Sequence, residues 1–433
     1  NSIIKTAVVP PVLLAVAAVL CYLFIVRGMY ALEDLPVKKI PRWSKICIEV
    51  VMVVFFLHTV QVQGTEIGMW DYIQSVRESS DFYEKEYVNP AKVKMTFPKE
   101  KKNLIYIFME SMESSYADKE DGGTMDDNYI PNLTKLAREN VQFTDKKDGK
   151  VGGPVCLEAT AYTAGGLVAQ TSAINLKVMN SGAVSDSFLP NLTALGDILN
   201  KQGYNQMFLC GSDGDFAGRD AYFKTHKDYQ IEDYKAAIKE GDIPKDYKVY
   251  WGHEDKVLYE RAKKNLKKLS KEGKPFNLTM LTVDTHFPNG YICDLCENKY
   301  DTTYGNAVAC ADRQVYDFVQ WIKKQDFYED TTIIIAGDHT SMVDTGSKFW
   351  KSLSNDYQRT VYNAIINPQC AYKKKVTTKR KFSTMDMFPT TLAALGVEID
   401  GNKLGLGTNL FSGEETLREE LGANYINKEL KRN

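Results

Sequence analysis

The sequence predicts an α/β domain built on a mainly parallel central sheet, and three observations lead to that prediction. From residue 102 onward, short apolar runs alternate with longer segments in which leucines and charges follow helical spacing. Two of the runs, Asn103–Met109 and Thr332–Ala336, are almost continuously apolar, as expected for strands that are buried on both faces. Polar side chains follow each run closely, Glu110 after the first and Asp338-His339 after the second.

Strands and helices alternate along the rest of the domain, which is typical of a parallel sheet with helices packed on it. No internal repeat or low-complexity segment interrupts the pattern. After the first strand we predict a helix beginning at Pro131, a helix at Leu189–Gly203, a strand at Tyr204–Leu209, a helix at Lys256–Glu272, a strand at Phe276–Val283, a helix at Asn306–Lys323, the strand at Thr332–Ala336 and a helix at Asp386–Leu395.

The first 64 residues predict two transmembrane helices joined by a basic cytoplasmic loop. Ala7–Val26 carries no charged residue and is long enough to cross a bilayer as a helix. Ile46–Val62 is the second predicted span, although Glu49 interrupts it and a helix on the membrane surface is the alternative. Basic loops stay in the cytoplasm. The loop contains Arg27, Lys38, Lys39, Arg42 and Lys45 against Glu33 and Asp34.

Two spans predict that the rest of the chain lies on the outer side of the cell membrane. We expect residues 65–101 to form an amphipathic connector and residues 102–433 to form an extracytoplasmic catalytic domain. A cleaved signal peptide does not fit, because no small-residue cleavage site follows the first span. The chain begins at Asn1 without a Met, which is consistent with further spans upstream.

Net charge bears on the class of binding partner, and the cysteines bear on whether disulfides can form. A formal net charge of -2 gives no support for a nucleic-acid partner. The part of the chain that follows the spans contains Cys156, Cys210, Cys293, Cys296, Cys310 and Cys370, an even number that permits disulfides. Cys293 and Cys296 form a CxxC motif, but no second CxxC completes a zinc ribbon. We therefore expect a structural disulfide that involves Cys293, Cys296 or Cys310, with its pairing open.

The polar residues at the two strand ends indicate a metal site. In parallel sheets, ligands bind beyond the carboxyl ends of the strands, so Glu110, Asp338 and His339 are expected to converge on one cation. Between them lies a segment rich in Gly and hydroxyl residues, Gly152–Gly166, in which Thr160 precedes a predicted helix. A hydroxyl beside a cation ionises more easily and becomes a nucleophile, and a helix N-terminus favours anions. The alternative is that Thr160 only caps the helix.

Several segments between residues 102 and 412 carry a resemblance to a known family. They are Phe108–Ser111, Thr160–Ala169, Gly211–Arg219, Thr282–Pro288, Ala336–His339, Asp386–Gly396 and Gly405–Phe411. Each is weak alone, but in this order they resemble the motifs of the membrane phosphoglycerol transferases in the alkaline phosphatase/sulfatase superfamily. That group contains the lipoteichoic acid synthases and the enzyme that decorates periplasmic glucans.

The resemblance implies an alkaline phosphatase-like sandwich and a particular site. It implies one divalent cation bound by Glu110, Thr160, Asp338 and His339; Mn²⁺ suits this oxygen-rich set best, and Mg²⁺ and Zn²⁺ are also compatible. Phosphatidylglycerol would be the donor, and Thr160 would carry a covalent glycerophosphoryl group before a glycan or teichoic-type acceptor takes it. Arg219 would clamp the phosphate, and His286 would contact the glycerol or protonate a leaving oxygen.

Departures from the family motifs leave the acceptor open. Ala217 stands where the lipoteichoic acid synthases carry Trp, and Arg219 stands where the glucan enzyme tends to have Lys. Gln170-Thr171-Ser172 replaces the more usual Ser-Gln-Cys. Teichoic acid, a glucan, a wall or capsular polysaccharide and a glycolipid all stay compatible with the sequence.

Three other functions compete with phosphoglycerol transfer. A phosphoethanolamine transferase usually relies on zinc and additional histidines, and this chain has only 5 histidines. A sulfatase needs a C/S-x-P-x-R motif, which the segment beginning at Cys156 lacks. A catalytically inactive, membrane-tethered binding protein is disfavoured because all four proposed ligands are present.

Overall fold

The computed structural model describes residues 42–66, 69–70, 80–147, 149–177, 187–227, 229–351, 353–354 and 356–432. The chain forms two compact units: the larger contains residues 82–177 and 184–430, and the smaller contains residues 1–81, 178–183 and 431–433. The predicted span Ala7–Val26 lies outside the described residues. All candidate site residues belong to the larger unit.

A six-stranded sheet forms the centre of the larger unit. The described strands are β1 (Met95–Thr96), β2 (Asn103–Met109), β3 (Asn205–Cys210), β4 (Gln230–Glu232), β5 (Phe276–Leu281), β6 (Thr331–Gly337), β7 (Asn363–Ile366), β8 (Glu398–Ile399), β9 (Lys403–Leu404) and β10 (Gly407–Thr408). The central sheet has the order β4-β3-β5-β2-β6-β7. Its strands are parallel except β7, which is antiparallel to β6. β1 pairs with β8, and β9 pairs with β10.

Helices cover both faces of this sheet. The described helices are α1 (Arg42–Glu66), α2 (Phe82–Glu86), α3 (Pro131–Glu139), α4 (Thr163–Ser172), α5 (Leu195–Lys201), α6 (Arg219–Thr225), α7 (Tyr234–Glu240), α8 (Asp255–Leu269), α9 (Thr303–Ile322), α10 (Met387–Ala394), α11 (Leu417–Leu421) and α12 (Ala423–Arg432). Because alternate strand side chains point to opposite faces, β2 sends Tyr106 and Phe108 into one core and Ile105 and Ile107 into the other. The first core includes side chains of α4, α5, α6 and α10, and the second includes side chains of α3, α8 and α9.

The predicted fold class is confirmed, because helices sandwich a mainly parallel sheet. Most element bounds differ from the prediction by a few residues. The largest difference is the helix predicted at Leu189–Gly203, which is shorter and begins at Leu195. Leu189 has a φ of 53° and precedes Pro190, and proline disfavours helical geometry in the residue before it. β4 and β7 were not predicted, because strands of 3 and 4 residues are too short to show a period.

The N-terminal predictions meet the structure only in part. The predicted second span, Ile46–Val62, lies within α1, where side chains such as Val51 and Leu57 are more than half exposed (64% and 58%). No helix in the described ranges, α1 included, is long and apolar enough to cross a membrane, so the second span is not confirmed. Within the predicted connector 65–101, the residues from Phe82 onward belong to the larger unit.

A disulfide joins Cys296, in the loop after β5, to Cys310 in α9. This pairing is one of those that the sequence left open. The bond ties the loop that contains His286 to a helix on the second face of the sheet. A loop tethered by a disulfide loses less conformational entropy than a free loop when it becomes ordered.

The sheet aligns four strand ends along one edge. β3, β5, β2 and β6 are parallel neighbours in that order, so their carboxyl ends lie side by side. β2 leads into Glu110 and β6 into Asp338-His339. His286 lies in the loop after β5, and Arg219 begins α6 after the loop that follows β3. Ligand sites in parallel sheets form at this edge, and the candidate residues therefore follow the order of the strands.

Candidate active site

Glu110, Asp338 and His339 meet at the carboxyl edge of the sheet. Each offers a ligand atom, and these atoms all lie within 4.8 Å of one another. Nε2 of His339 lies 3.4 Å from Oε1 of Glu110 and 3.5 Å from Oδ2 of Asp338. All three residues are buried, with exposed fractions of 2%, 0% and 1% respectively. The structure thus brings together three of the residues that the sequence nominated.

Backbone hydrogen bonds orient Asp338 and His339 toward each other. Oδ1 of Asp338 accepts the N–H groups of Ser111 (2.8 Å) and His339 (2.7 Å). Oδ2 is buried and has no hydrogen-bond partner among the described residues. Nδ1 of His339 lies 2.8 Å from the carbonyl oxygen of Thr340, which can only accept, so Nδ1 carries a proton and donates it. Nε2 is therefore the ring nitrogen that faces the two carboxylates.

The neighbouring strand end fixes Glu110. Its N–H donates to Oγ1 of Thr282 (2.9 Å), and its carbonyl oxygen accepts from the hydroxyl of Thr285 (2.5 Å). The hydroxyl of Ser111 donates to Oε1 (2.7 Å). Ser111 itself has a φ of 51°, a left-handed geometry that persists in non-glycine residues where the surroundings enforce it. The backbone at the end of β2 is thus held by the loop that also contains His286.

The structure brings Thr163, rather than the predicted Thr160, to Glu110 and His339. Thr160 is fully buried, and its hydroxyl donates to the carbonyl oxygen of Leu157 (2.9 Å) and accepts the N–H of Leu157 (2.8 Å). Thr160 therefore closes a local turn. Thr163, the first residue of α4, has its Oγ1 3.3 Å from Oε2 of Glu110 and 3.3 Å from Nε2 of His339. Thr163 is half-buried, whereas Thr160 is fully buried.

Close packing brings the start of α4 to the metal-type cluster. A Cβ atom on Gly166 would lie 2.2 Å from the carbonyl oxygen of Asp338, so only glycine permits this approach. One turn later, Nε2 of Gln170 donates to the carbonyl oxygen of Gly337 (2.9 Å), and its Oε1 accepts from the hydroxyl of Tyr106 (2.9 Å). The glycine and the glutamine together dock α4 on the end of β6.

Burial and mutual charge perturb the ionisation of the cluster. Burial, with the charge of Glu110, raises the pKa of Asp338 to about 8. Burial alone would lower the pKa of His339, but the charges of Asp338 and Glu110 outweigh it and raise this pKa to about 10. Burial opposes ionisation of Glu110, yet His339 overcomes that effect and keeps the pKa of Glu110 below its ordinary value. Two carboxyl groups confined together are an electrostatic conflict that a cation resolves.

The residues present fit a divalent cation. Glu110, Asp338 and the Thr163 hydroxyl offer oxygen atoms, and His339 offers one nitrogen, a donor set that suits Mn²⁺ or Mg²⁺ and admits Zn²⁺. The buried, unpaired Oδ2 of Asp338 is the specific observation that calls for such an ion. The cysteine triplet Cys293, Cys296 and Cys310 is the second ligand-type cluster among the described residues, but it contains the disulfide.

His286 lies beside this cluster and is positioned by an aromatic residue. The hydroxyl of Thr285, the residue before it, donates to the carbonyl oxygen of Glu110, which keeps His286 next to this strand end. Nδ1 lies 2.8 Å from the carbonyl oxygen of Phe287, so Nδ1 donates and Nε2 keeps a lone pair. The hydroxyl of Tyr250 donates to the carbonyl oxygens of His286 (2.5 Å) and Phe287 (3.2 Å). Tyr250 and the neighbouring Trp251 were not nominated by the sequence, because the loop that contains them shows no motif.

Arg219 is anchored so that part of its guanidinium stays available. Nε donates to the carbonyl oxygen of Phe216 (3.0 Å), and Nη2 donates to Oγ of Ser212 (3.0 Å) and the carbonyl oxygen of Asp213 (2.7 Å). Nη1 makes no hydrogen bond to the described residues. A guanidinium fixed in this manner can offer its remaining N–H groups to a phosphate oxygen.

A second buried carboxylate braces the loop after His339. Oε1 of Glu113 accepts the N–H of Ser341 (2.7 Å), and Arg359 forms a two-pronged ion pair with the same carboxylate. Nη2 of Arg359 also donates to the carbonyl oxygen of Ser341 (2.7 Å). These residues contact the ligand loop and not the cluster itself. Sequence reasoning missed them because Glu113 and Arg359 lie far apart in the chain.

Fold and site together define the class of protein. The chain belongs to the sulfatase family, whose sequence profile matches residues 102–397. The resemblance proposed from the motifs is thereby confirmed at the level of the superfamily. Among curated proteins, phosphoglycerol transferase I of Salmonella choleraesuis (strain SC-B67) is 33% identical over 340 residues, a match that covers 76% of this chain and 41% of that protein. The protein of the same name from Shigella flexneri is also 33% identical, with the same coverage.

Solved structures support the fold. A protein of the alkaline phosphatase superfamily from Vibrio parahaemolyticus superposes with a TM-score of 0.55 and 21% identity, covering 79% of this chain and 78% of that one. The lipoteichoic acid synthase LtaP from Listeria monocytogenes superposes with a TM-score of 0.56 and 19% identity, covering 74% and 79%. This chain spans about two fifths of the length of the curated relatives (41%), so their activity is a starting point for a proposal.

Proposed function

We propose that this chain is the catalytic part of a phosphoglycerol transferase, which moves sn-glycerol phosphate from phosphatidylglycerol to a cell-envelope glycan or polymer. The observation that carries the proposal is the Thr163 hydroxyl, 3.3 Å from both Glu110 and His339 at the start of a helix. A threonine nucleophile beside metal-ligand side chains suits phosphoryl transfer. Sulfatases instead need a Cys or Ser that is converted to formylglycine, and a threonine cannot take that role. The names of the curated relatives agree with the proposal.

In the first half of the reaction, Thr163 attacks phosphorus. Its Oγ forms a bond to phosphorus while the bond from phosphorus to the diacylglycerol oxygen breaks. The hydroxyl proton of Thr163 passes to solvent, and protonated His286 gives its Nε2 proton to the leaving oxygen, so that neutral diacylglycerol departs. The start of α4 directs its N–H groups at the transferred phosphoryl oxygens, and Nη1 of Arg219 donates to one of them.

In the second half, an acceptor hydroxyl displaces Thr163. The acceptor oxygen bonds to phosphorus, the bond from phosphorus to Oγ of Thr163 breaks, and Oγ recovers a proton from solvent. Nε2 of His286, now neutral, takes the proton of the acceptor hydroxyl and is ready for the next cycle. The net result is exchange of diacylglycerol for the acceptor, with Thr163 and His286 restored.

A divalent cation would be held by Glu110, Thr163, Asp338 and His339, and we propose Mn²⁺. When bound, such an ion supplies positive charge that favours ionisation of a nearby hydroxyl and neutralises phosphodiester oxygens. The chain's own contribution is geometric, because Ser111 and Thr340 set the orientation of Asp338 and His339. We further propose that the domain works on the outer side of a bacterial membrane, where its lipid donor is found.

Donor specificity tests the proposal. We expect the full chain in phosphatidylglycerol-containing vesicles with Mn²⁺ to release diacylglycerol, and Thr163→Ala to reduce the rate by at least about a thousandfold. Thr163→Ser keeps a hydroxyl and is the matched control, which should retain measurable turnover. Faster turnover of phosphatidylethanolamine would favour the phosphoethanolamine alternative, and hydrolysis of an aryl sulfate ester by the wild type would favour a sulfatase. Full activity in Thr163→Ala would reject the nucleophile.

A further inference from the structure

Three exposed aromatic side chains lie in a row beside the candidate active site. Phe216, Trp251 and Phe287 are 54%, 40% and 36% exposed, although side chains of this size are usually covered. The ring centroids of Phe216 and Trp251 are 5.6 Å apart, and those of Trp251 and His286 are 4.8 Å apart. The ring of Phe287 stacks on the ring of His286 with centroids 5.0 Å apart. We call Phe216, Trp251 and Phe287 the aromatic platform; it flanks the ring of His286.

A tight turn holds Trp251 in the platform. The backbone groups of Val249 and Gly252 exchange two hydrogen bonds (2.8 and 2.9 Å), and Tyr250 between them has a φ of 54°. A Cβ atom on Gly252 would lie 2.1 Å from the carbonyl oxygen of Gly211, so this turn sits directly on the loop after β3. A strained turn of this kind is kept where the surroundings fix it. The backbone conformation of the turn therefore fixes the exposed position of the Trp251 ring.

Phe216 connects the platform to the proposed phosphate-binding arginine. Ala217 and Gly218 both have positive φ angles (55° and 72°), which turns the chain so that Phe216 faces outward. The guanidinium of Arg219 lies 5.4 Å from the centre of the Phe216 ring, and its Nε donates to the Phe216 carbonyl oxygen. Phe216 therefore adjoins the proposed phosphate contact, and Trp251 and Phe287 adjoin the ring of His286.

The charged residues around the platform do not suit an anionic membrane surface. In the loop that contains Phe216, Asp213 and Asp215 pair with Lys235 at 3.6 and 2.7 Å. In the loop after Phe287, Asp294 pairs with Lys256 at 2.7 Å. Binding to anionic lipids needs an excess of unpaired basic side chains, but here Lys235 and Lys256 are each paired with an aspartate and Arg219 is anchored by its own loop. A neutral, hydroxyl-rich ligand fits both the rings and the carboxylates.

We infer that the aromatic platform is the acceptor subsite and binds a neutral pyranose ring of a glycan, so that a sugar hydroxyl faces Nε2 of His286. Sugar C–H groups carry partial positive charge and pack on the negative faces of aromatic rings, while Asp213 or Asp215 can accept from sugar hydroxyls. The inference rests on the proposed function, because it assigns the second substrate of that reaction. The bound hydroxyl gives its proton to His286 as its oxygen bonds to phosphorus and the bond to Thr163 breaks.

The two half-reactions separate this inference from the proposed function. Full-length protein in phosphatidylglycerol vesicles is first allowed to release one burst of diacylglycerol. Neutral oligosaccharides of glucose, galactose or N-acetylglucosamine are then added, and the rate of glycerophosphate transfer to each is measured against its concentration. Absence of the burst in the wild type would reject the proposed function itself. A burst without acceleration by any of these oligosaccharides would reject the inference alone.

Variants of Trp251 provide the decisive comparison. Trp251→Ala removes one stacked ring. We expect the fold increase in the acceptor concentration for half-maximal transfer to be about ten times the fold decrease in the burst rate. Trp251→Phe should recover most of the loss. Tyr372→Ala, at a similarly exposed ring (42%) on a segment that contributes nothing to the site, should change neither quantity. Equal losses in burst and transfer, an unchanged acceptor dependence, or selective loss of vesicle binding by Trp251→Ala would each overturn the inference.

Discussion

A methyl group on Gly166 would separate Thr163 from the residues with which we propose that it acts. In the structure, a Cβ atom at this position would lie 2.2 Å from the carbonyl oxygen of Asp338 and 2.8 Å from its carbonyl carbon. Real Cβ atoms essentially never approach closer than 3.0 Å, so α4 must retreat by about 0.8 Å, the difference between 3.0 and 2.2 Å. The obstructing atom belongs to the backbone and cannot rotate away. Thr163 lies one turn before Gly166 and moves with it.

The expected cost of Gly166→Ala follows from that displacement. Misplacing a reacting group by about 1 Å lowers rates on the order of a hundredfold, or roughly 2.7 kcal/mol in the barrier. Overpacking also destabilises a fold by about 1–3 kcal/mol, so melting is followed by near-ultraviolet circular dichroism alongside the burst of diacylglycerol. Gly346→Ala is the control, since its Cβ would meet nothing closer than 3.5 Å. A folded Gly166→Ala variant with a burst rate within about threefold of the wild type would refute the reasoning.

Three further substitutions test the surroundings of the site. Asp338→Asn should weaken Mn²⁺ binding on the order of a hundredfold in equilibrium dialysis, and unchanged binding would reject the metal site. Glu113→Gln leaves Arg359 without its charged partner, so we expect about 3 kcal/mol lower stability in urea unfolding and a slower burst; no change in either would show that Glu113 does not position the loop after His339. Arg261→Met removes the ion-pair partner of the buried Glu232 (2.7 Å) and should lower the free energy of unfolding by about 3–5 kcal/mol without altering Mn²⁺ affinity. A wild-type unfolding midpoint would contradict this expectation.

The sequence predicted the residues whose positions depend only on strand order. Glu110 and Asp338-His339 each follow a continuously apolar run, and such runs become neighbouring parallel strands whose ends must meet. His286 and Arg219 were expected from the family resemblance alone, and they lie after β5 and β3, the next strands in the sheet. The family motifs supplied the chemistry that strand order alone leaves open.

The position of Thr163, the proposed nucleophile, could not be derived in the same manner. Thr160 and Thr163 both precede the predicted helix in glycine-rich surroundings, and the two differ only in how the turn before α4 closes. That turn uses the Thr160 hydroxyl to satisfy Leu157, which leaves Thr163 to face Glu110. One sequence signal could have indicated Thr163, namely Gly166 three residues later, which permits the close approach of the helix. The positions of Trp251 and Glu113 depend on long-range loop contacts that no local pattern encodes.

The central claim is that Thr163 carries the glycerophosphoryl group between donor and acceptor. The most direct measurement is peptide mass spectrometry of the full chain, quenched after incubation with phosphatidylglycerol and Mn²⁺ in the absence of acceptor. We predict one glycerophosphoryl group on Thr163, absent in Thr163→Ala and retained in Thr160→Ala, whose hydroxyl only closes a turn. A modified Thr160, or diacylglycerol release with neither threonine modified, would contradict the claim.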